Sequence, residues 1–140
     1  VKVPLFNKRR DLEIQSFMVK LINNNCAALE TFNEGPRNER RVRLTVVILL
    51  VPVKNGKPNV ERMFPAVTKE FSTRGVAVVT NEPREFDQVV LGLRWENSMK
   101  WIAAKAKYVH PLGAGFCQVG FLMNRIIPTG DHPELDKITF

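Results

Sequence analysis

The stretch RNERRVRLTVVILLVPVKNGKP, Arg37–Pro58, sets four arginines within seven residues against an apolar run, then closes on Asn55-Gly56. Val46 to Val53 is too short to cross a bilayer as a helix, which takes roughly 20 apolar residues, so no membrane insertion is expected. Its Val and Ile content reads as a buried strand, and the Asn-Gly pair is a strong hairpin signal. The segment therefore predicts a β-fold with a basic cluster at the mouth of its first strand.

Outward from that strand, segments rich in Val, Ile, Phe and Thr recur about every ten residues with turn signals between them. The predicted strands are Leu44–Val53, Arg62–Phe71, Val76–Thr80, Val89–Trp95, Lys100–His110 and Phe116–Met123. Six strands at this spacing predict a mainly β chain folded as an antiparallel β-barrel. Ser98–Lys105 could also start a helix, since Ser98 can cap and Ala and Lys are good helix formers. The alternation of Lys105 and Lys107 against Ala104, Ala106 and Tyr108 favours a strand.

Upstream, Leu12, Ile14, Phe17, Met18, Leu21, Ile22, Leu29 and Phe32 recur at helical intervals, which predicts an N-terminal helical segment over 11–32. Asp11 can cap it and Gly35-Pro36 can end it, while Asn23–Asn25 can break it. The expected organisation is a helical segment and linker over 1–36, a barrel over 37–123, and a tail over 124–140 that packs on the barrel. Pro133–Ile138 can form a short helical turn.

The 140 residues suit one domain with a sizeable core, and 44% apolar with 25% charged residues is ordinary for a folded protein. A net charge of +7 favours an anionic ligand or partner. Cys26 and Cys117 have no ligand or disulfide spacing, which points to a cytoplasmic setting. His110 and His132 have no partner at metal-ligand or catalytic spacing, and both read as surface residues. No targeting signal is read. The chain opens on Val1, which leaves a removed leader or a longer parent chain open.

No nucleophile–base pair, paired carboxylates or nucleotide-loop motif stands at recognisable spacing, so the chain is expected to be neither an enzyme nor a metal or cofactor protein. Single-stranded nucleic acid could stack on Trp95, Trp101, Tyr108 and Phe116. Most aromatics of a small barrel are core, however, and nucleic acid is not the favoured partner.

Arg37 and Arg41 form an RxxxR pair just before the first strand. Arginine's planar fork donates two parallel hydrogen bonds to a phosphate or to the O6/N7 edge of guanine. Some thirty residues on, EFSTRG supplies Glu70 and Ser72 on one face and Gly75 for close approach. A carboxylate can accept from guanine N1 and N2, and a hydroxyl can bond phosphate. The bland alternatives are a solvated basic loop and an ordinary turn, with Glu70 paired to Lys69 or Arg74.

Taken in order, RNERR before a strand, ExSxxG after the second strand and QVGFLM as the closing strand resemble the PilZ domain family over Arg37–Met123. The resemblance implies a six-stranded barrel that binds the bacterial second messenger cyclic di-GMP through RxxxR and D/NxSxxG motifs. It implies that Arg37 and Arg41 clamp phosphate and guanine, that Ser72 bonds phosphate or a base edge, and that Gly75 admits the ligand. The sequence departs from the pattern at Glu70, one methylene longer than the family's Asp. Alignment from the apolar run would instead make Arg40 and Arg43 the pair.

Three functions stand open: a non-catalytic cyclic di-GMP module whose arginine loop orders on binding, a degenerate barrel acting as a protein-interaction module through its helix or tail, and a single-strand-binding barrel.

Overall fold

The structure, a computed structural model, describes residues 14, 41–72, 74–81 and 86–138, apart from the side chain of Trp95. Its strands are β1 (Val42–Arg43), β2 (Val47–Lys54), β3 (Lys57–Pro58), β4 (Phe64–Phe71), β5 (Gly75–Thr80), β6 (Gln88–Trp95), β7 (Ser98–Gly113) and β8 (Phe116–Ile126). All pairings are antiparallel. The order β4-β5-β8-β7-β6-β2 closes because β2 also pairs with β4. The result is a six-stranded barrel, to which the two-residue strands β1 and β3 are appended on β4 and β2.

Alternation builds the barrel wall. In β4, Phe64, Ala66 and Thr68 are buried while Pro65, Val67 and Lys69 are exposed, the two-residue period of a half-buried strand. Along β7, Ile102 and Ala104 enter the core, so Ser98–Lys105 is strand rather than helix. The extended backbone lets Ile102 pack with Leu50, Leu91, Val119, Phe121 and Met123 inside the barrel. Ile14, the one described residue of the N-terminal segment, is helical and fully buried among them. The rest of the helix expected over 11–32 lies outside the described residues.

The unbroken apolar run of β2 has a physical cause in two-sided burial. Ile48 and Leu50 face the barrel interior, whereas Leu49 and Val51 face outward under a second cluster of Val90, Trp101, Ile127 and Leu135. Leu135 comes from the helical turn Pro133–Asp136, so the tail covers the outside of β2. Trp101 lies over Gly92, its register partner, where a Cβ would fall within 3.0 Å of three ring atoms.

The Asn55-Gly56 pair does form a two-residue hairpin, with φ of 55° and 77° at its two positions as a type I′ turn requires. That hairpin returns β2 only onto β3; a 3-10 turn, Val60–Arg62, then precedes β4. Turn chemistry set the local reversal, and pairing of Val47–Leu50 with Phe64–Val67 set the larger one. Among the described residues, no helix is long and apolar enough to cross a membrane.

Candidate functional site: a groove across four strands

The site begins with an irregularity in β4. Continued alternation from Phe64, Ala66 and Thr68 would carry Glu70 into the core. Between Thr68 and Glu70 the pairing with β5 slips, Thr68 facing Val78 and Glu70 facing Ala77. Two residues of β4 thus advance against one of β5, a bulge that turns the next side chains over. Phe71 is buried in place of Glu70, and the carboxylate is left on the outer face.

Thr68 ties this bulge to the start of the barrel. Its buried hydroxyl donates to the Leu44 carbonyl at 2.7 Å and accepts from the Val46 N–H at 2.8 Å. Its backbone N–H donates to the Val46 carbonyl at 2.9 Å. These bonds hold the segment between β1 and β2 against β4. They also bring β1 into register, Val42 opposite Phe71 and Arg43 opposite Glu70.

Arg41, just before β1, reaches the same carboxylate: Nη1 lies 2.7 Å from Glu70 Oε2. The arginine side chain is 64% exposed and the glutamate 19%, so solvent screens the pair and its contribution to stability is about 0–1 kcal/mol. The β4–β5 connection is closed by the Ser72 N–H donating to the Gly75 carbonyl at 2.9 Å and the Gly75 N–H donating to Ser72 Oγ at 3.2 Å. A Cβ at Gly75 would stand 2.9 Å from Ser72 Oγ and 3.4 Å from the Phe121 carbonyl. Glycine therefore lets the hydroxyl lie close against β5 and β8.

One row of register partners runs from this corner across the barrel: Arg43 with Glu70, Glu70 with Ala77, Ala77 with Gly120, Gly120 with Tyr108. The two central members are the smallest side chains available, so the row is high at its ends and low in the middle. Three strand spacings of about 4.8 Å separate the backbones at Glu70 and Tyr108 by about 14 Å, and the Tyr108 ring lies back over Gly120. The depression has a volume of about 480 Å³ and is lined by Arg41, Glu70, Ser72, Gly75, Lys107 and Tyr108, among others. A volume of this size is within the range of small-molecule sites.

Of the residues singled out in the sequence, Arg41, Glu70, Ser72 and Gly75 line one groove. Arg43 stands in register with Glu70 but outside that lining. Arg37 and Arg40 lie outside the described residues, as does Cys26. Sequence reasoning about the clamp passed over Arg74 and Lys107, which add positive charge to the lining, and Tyr108, which forms the far wall. The alternation of Lys107 with Tyr108 was visible, but not that the row through Gly120 and Ala77 would connect them to Glu70.

Among the described residues, no three His, Cys, Asp or Glu side chains cluster as a metal site would need. The groove offers guanidinium, ammonium and hydroxyl donors beside a single carboxylate, an arrangement chemically suited to a phosphate-bearing ligand.

No family model matches the sequence, and no curated protein matches it. Among solved structures, the chain is similar to the Bacillus subtilis inhibitor of motility (MotI/DgrA), at 16% identity and a TM-score of 0.45. The likeness covers 72% of this chain and 48% of that one, so the chain spans about half the length of that protein.

Proposed function

We propose that the chain is a PilZ-like, non-catalytic module that binds cyclic di-GMP in the groove between Arg41 and Tyr108. The observation that carries this reading is the convergence of Arg41 with Glu70, Ser72 and Gly75 on one lining although about thirty residues separate them in the chain. In this reading the Arg41 guanidinium binds a phosphate or a guanine edge, with Arg37 as its companion. Ser72 accepts from the Gly75 N–H and so keeps its own proton to donate to a phosphate oxygen. In this reading ligand entry exchanges Arg41's bond to Glu70 for a bond to the ligand, and that exchange is the switch. In this reading the module works in the cytoplasm, and the segment expected to be helical over 11–32 engages a protein partner.

Calorimetric titration with cyclic di-GMP, alongside GTP and a linear dinucleotide, tests the reading. Saturable heat with the cyclic ligand is expected. Its absence at high ligand concentration removes the ligand and leaves the barrel.

The Arg41–Glu70 pair itself supports a second reading. The carboxylate can act as a built-in substitute for the ligand phosphate, giving a degenerate barrel that engages a protein instead. That reading predicts indifference to nucleotides and a partner retained after Arg37 and Arg41 are replaced. The single-strand-binding alternative predicts oligonucleotide affinity that falls steeply with salt, and a salt-insensitive or absent gel shift removes it.

A further inference from the structure

The far wall of the groove is the chain's single tyrosine, and its surroundings set the ring in one orientation. Tyr108 lies over Gly120, where a Cβ would fall within 3.0 Å of three of its ring atoms. One face of the ring is thereby packed on the β8 backbone, and a larger residue at position 120 would lift it away. Gln118 Nε2 donates to the phenolic oxygen at 3.2 Å, while Lys69 Nζ donates to Gln118 Oε1 at 3.1 Å. The Tyr108 and His110 rings make a T-shaped contact with a centroid separation of 4.7 Å and an interplanar angle of 74°.

An aromatic ring held this firmly is ordinarily core. Tyr108 is instead 38% exposed and borders the groove. Gly120 lies beneath the ring itself, and the next member of the row, Ala77, adds only a methyl group to the groove lining. Planar bases stack on exposed aromatic faces, and a ring already ordered loses little conformational freedom when they do.

We propose that Tyr108 is a stacking platform for a guanine base, pre-oriented by Gly120 beneath it and by Gln118, held in turn by Lys69, at its hydroxyl. The platform deepens the nucleotide reading above and rests on it: Arg41 and Ser72 engage phosphate at one end of the row while Tyr108 takes a base at the other. It also supplies what the arginines lack, because phosphate contacts attract any nucleotide equally whereas a base platform requires an exposed base.

Because Tyr108 is the only tyrosine, selective isotope labelling of tyrosine gives ring NMR signals that belong to it alone. The full chain is titrated with cyclic di-GMP and, separately, with GMP, with calorimetry in parallel. Upfield movement of the ring signals at saturation is expected. Tyr108→Ala is expected to weaken cyclic di-GMP binding about tenfold or more, and Tyr108→Phe to keep it within about twofold, since stacking uses the ring and not the hydroxyl. Heat of binding with unmoved ring signals, or unchanged affinity in Tyr108→Ala, overturns the platform while the ligand reading stands. Ring shifts with GMP but no binding of cyclic di-GMP uphold the platform and remove the cyclic dinucleotide. No shift and no heat with either ligand overturns both.

Discussion

Arg41 and Glu70 are joined by a 2.7 Å ion pair across twenty-nine positions of sequence, between the residue before β1 and the bulged end of β4. The pair stands in the lining of the groove, so in the proposed reading a phosphate that enters competes with a carboxylate already in place. Solvent screens the pair, so its contribution to folding is small, and in the proposed reading its weight falls on binding.

Replacing the arginine separates those two roles. Arg41→Ala is expected to weaken cyclic di-GMP binding by about 1.5–3 kcal/mol, the scale of a hydrogen bond to a charged group. The same change is expected to move folding stability by no more than about 1 kcal/mol. Calorimetry and urea denaturation on one preparation check both. Unchanged affinity would place the phosphate elsewhere in the groove.

The glutamate tests the competition directly. Glu70→Asp retracts the carboxylate by one methylene from the guanidinium, so the pair with Arg41 is weakened and affinity is expected to rise up to about fivefold, the equivalent of an exposed pair of at most about 1 kcal/mol. A fall in affinity on calorimetric titration would instead make Glu70 a direct acceptor for the ligand.

Thr68 should matter to both the fold and the site. Thr68→Val keeps the shape but strands the Val46 N–H and removes the donor to the Leu44 carbonyl, both of which its buried hydroxyl satisfies. A loss of about 1–3 kcal/mol is expected in urea denaturation. Because the same bonds hold β1 against β4, ligand affinity is expected to fall with it. Full stability in the valine variant would show that the bulge is maintained by pairing with β5 alone.

On the outer face of β6 and β7, Gly92→Ala would drive a methyl into the Trp101 ring. Overpacking of this kind costs about 1–3 kcal/mol, read by denaturation, and should be accompanied by a shift in tryptophan emission as the indole is lifted toward solvent. The groove takes only Lys107 and Tyr108 from β7, six and seven residues beyond Trp101, and the rest of its lining from other elements, so ligand affinity is expected to be unaffected.

The barrel is largely legible in the sequence. Each strand of the closed wall coincides within a few residues with a segment identified by its Val, Ile and Phe content and its flanking turn residues, and the ambiguous Ser98–Lys105 went to strand as alternation indicated. The Asn55-Gly56 reversal was also legible, because φ > 0 at two successive positions is a local demand. Its partner strand was not: β3 is two residues long and carries no periodic signal. At the candidate site, the RxxxR pair and EFSTRG named Arg41, Glu70, Ser72 and Gly75, but local sequence gave no sign that these would share one lining with Arg43 left outside it.

Local chemistry by itself determined where the chain extends and where it reverses, since a two-residue alternation and a left-handed turn are properties of neighbouring residues. Only the tertiary structure decided what faces what. The bulge that turns Glu70 out and Phe71 in depends on the pairing of β4 with β5 and on the buried bonds of Thr68. The row Glu70–Ala77–Gly120–Tyr108 depends on the registers of four strands at once. Register is set by how side chains from distant strands fill one core, and so the groove is a property of the closed barrel and of no single stretch within it.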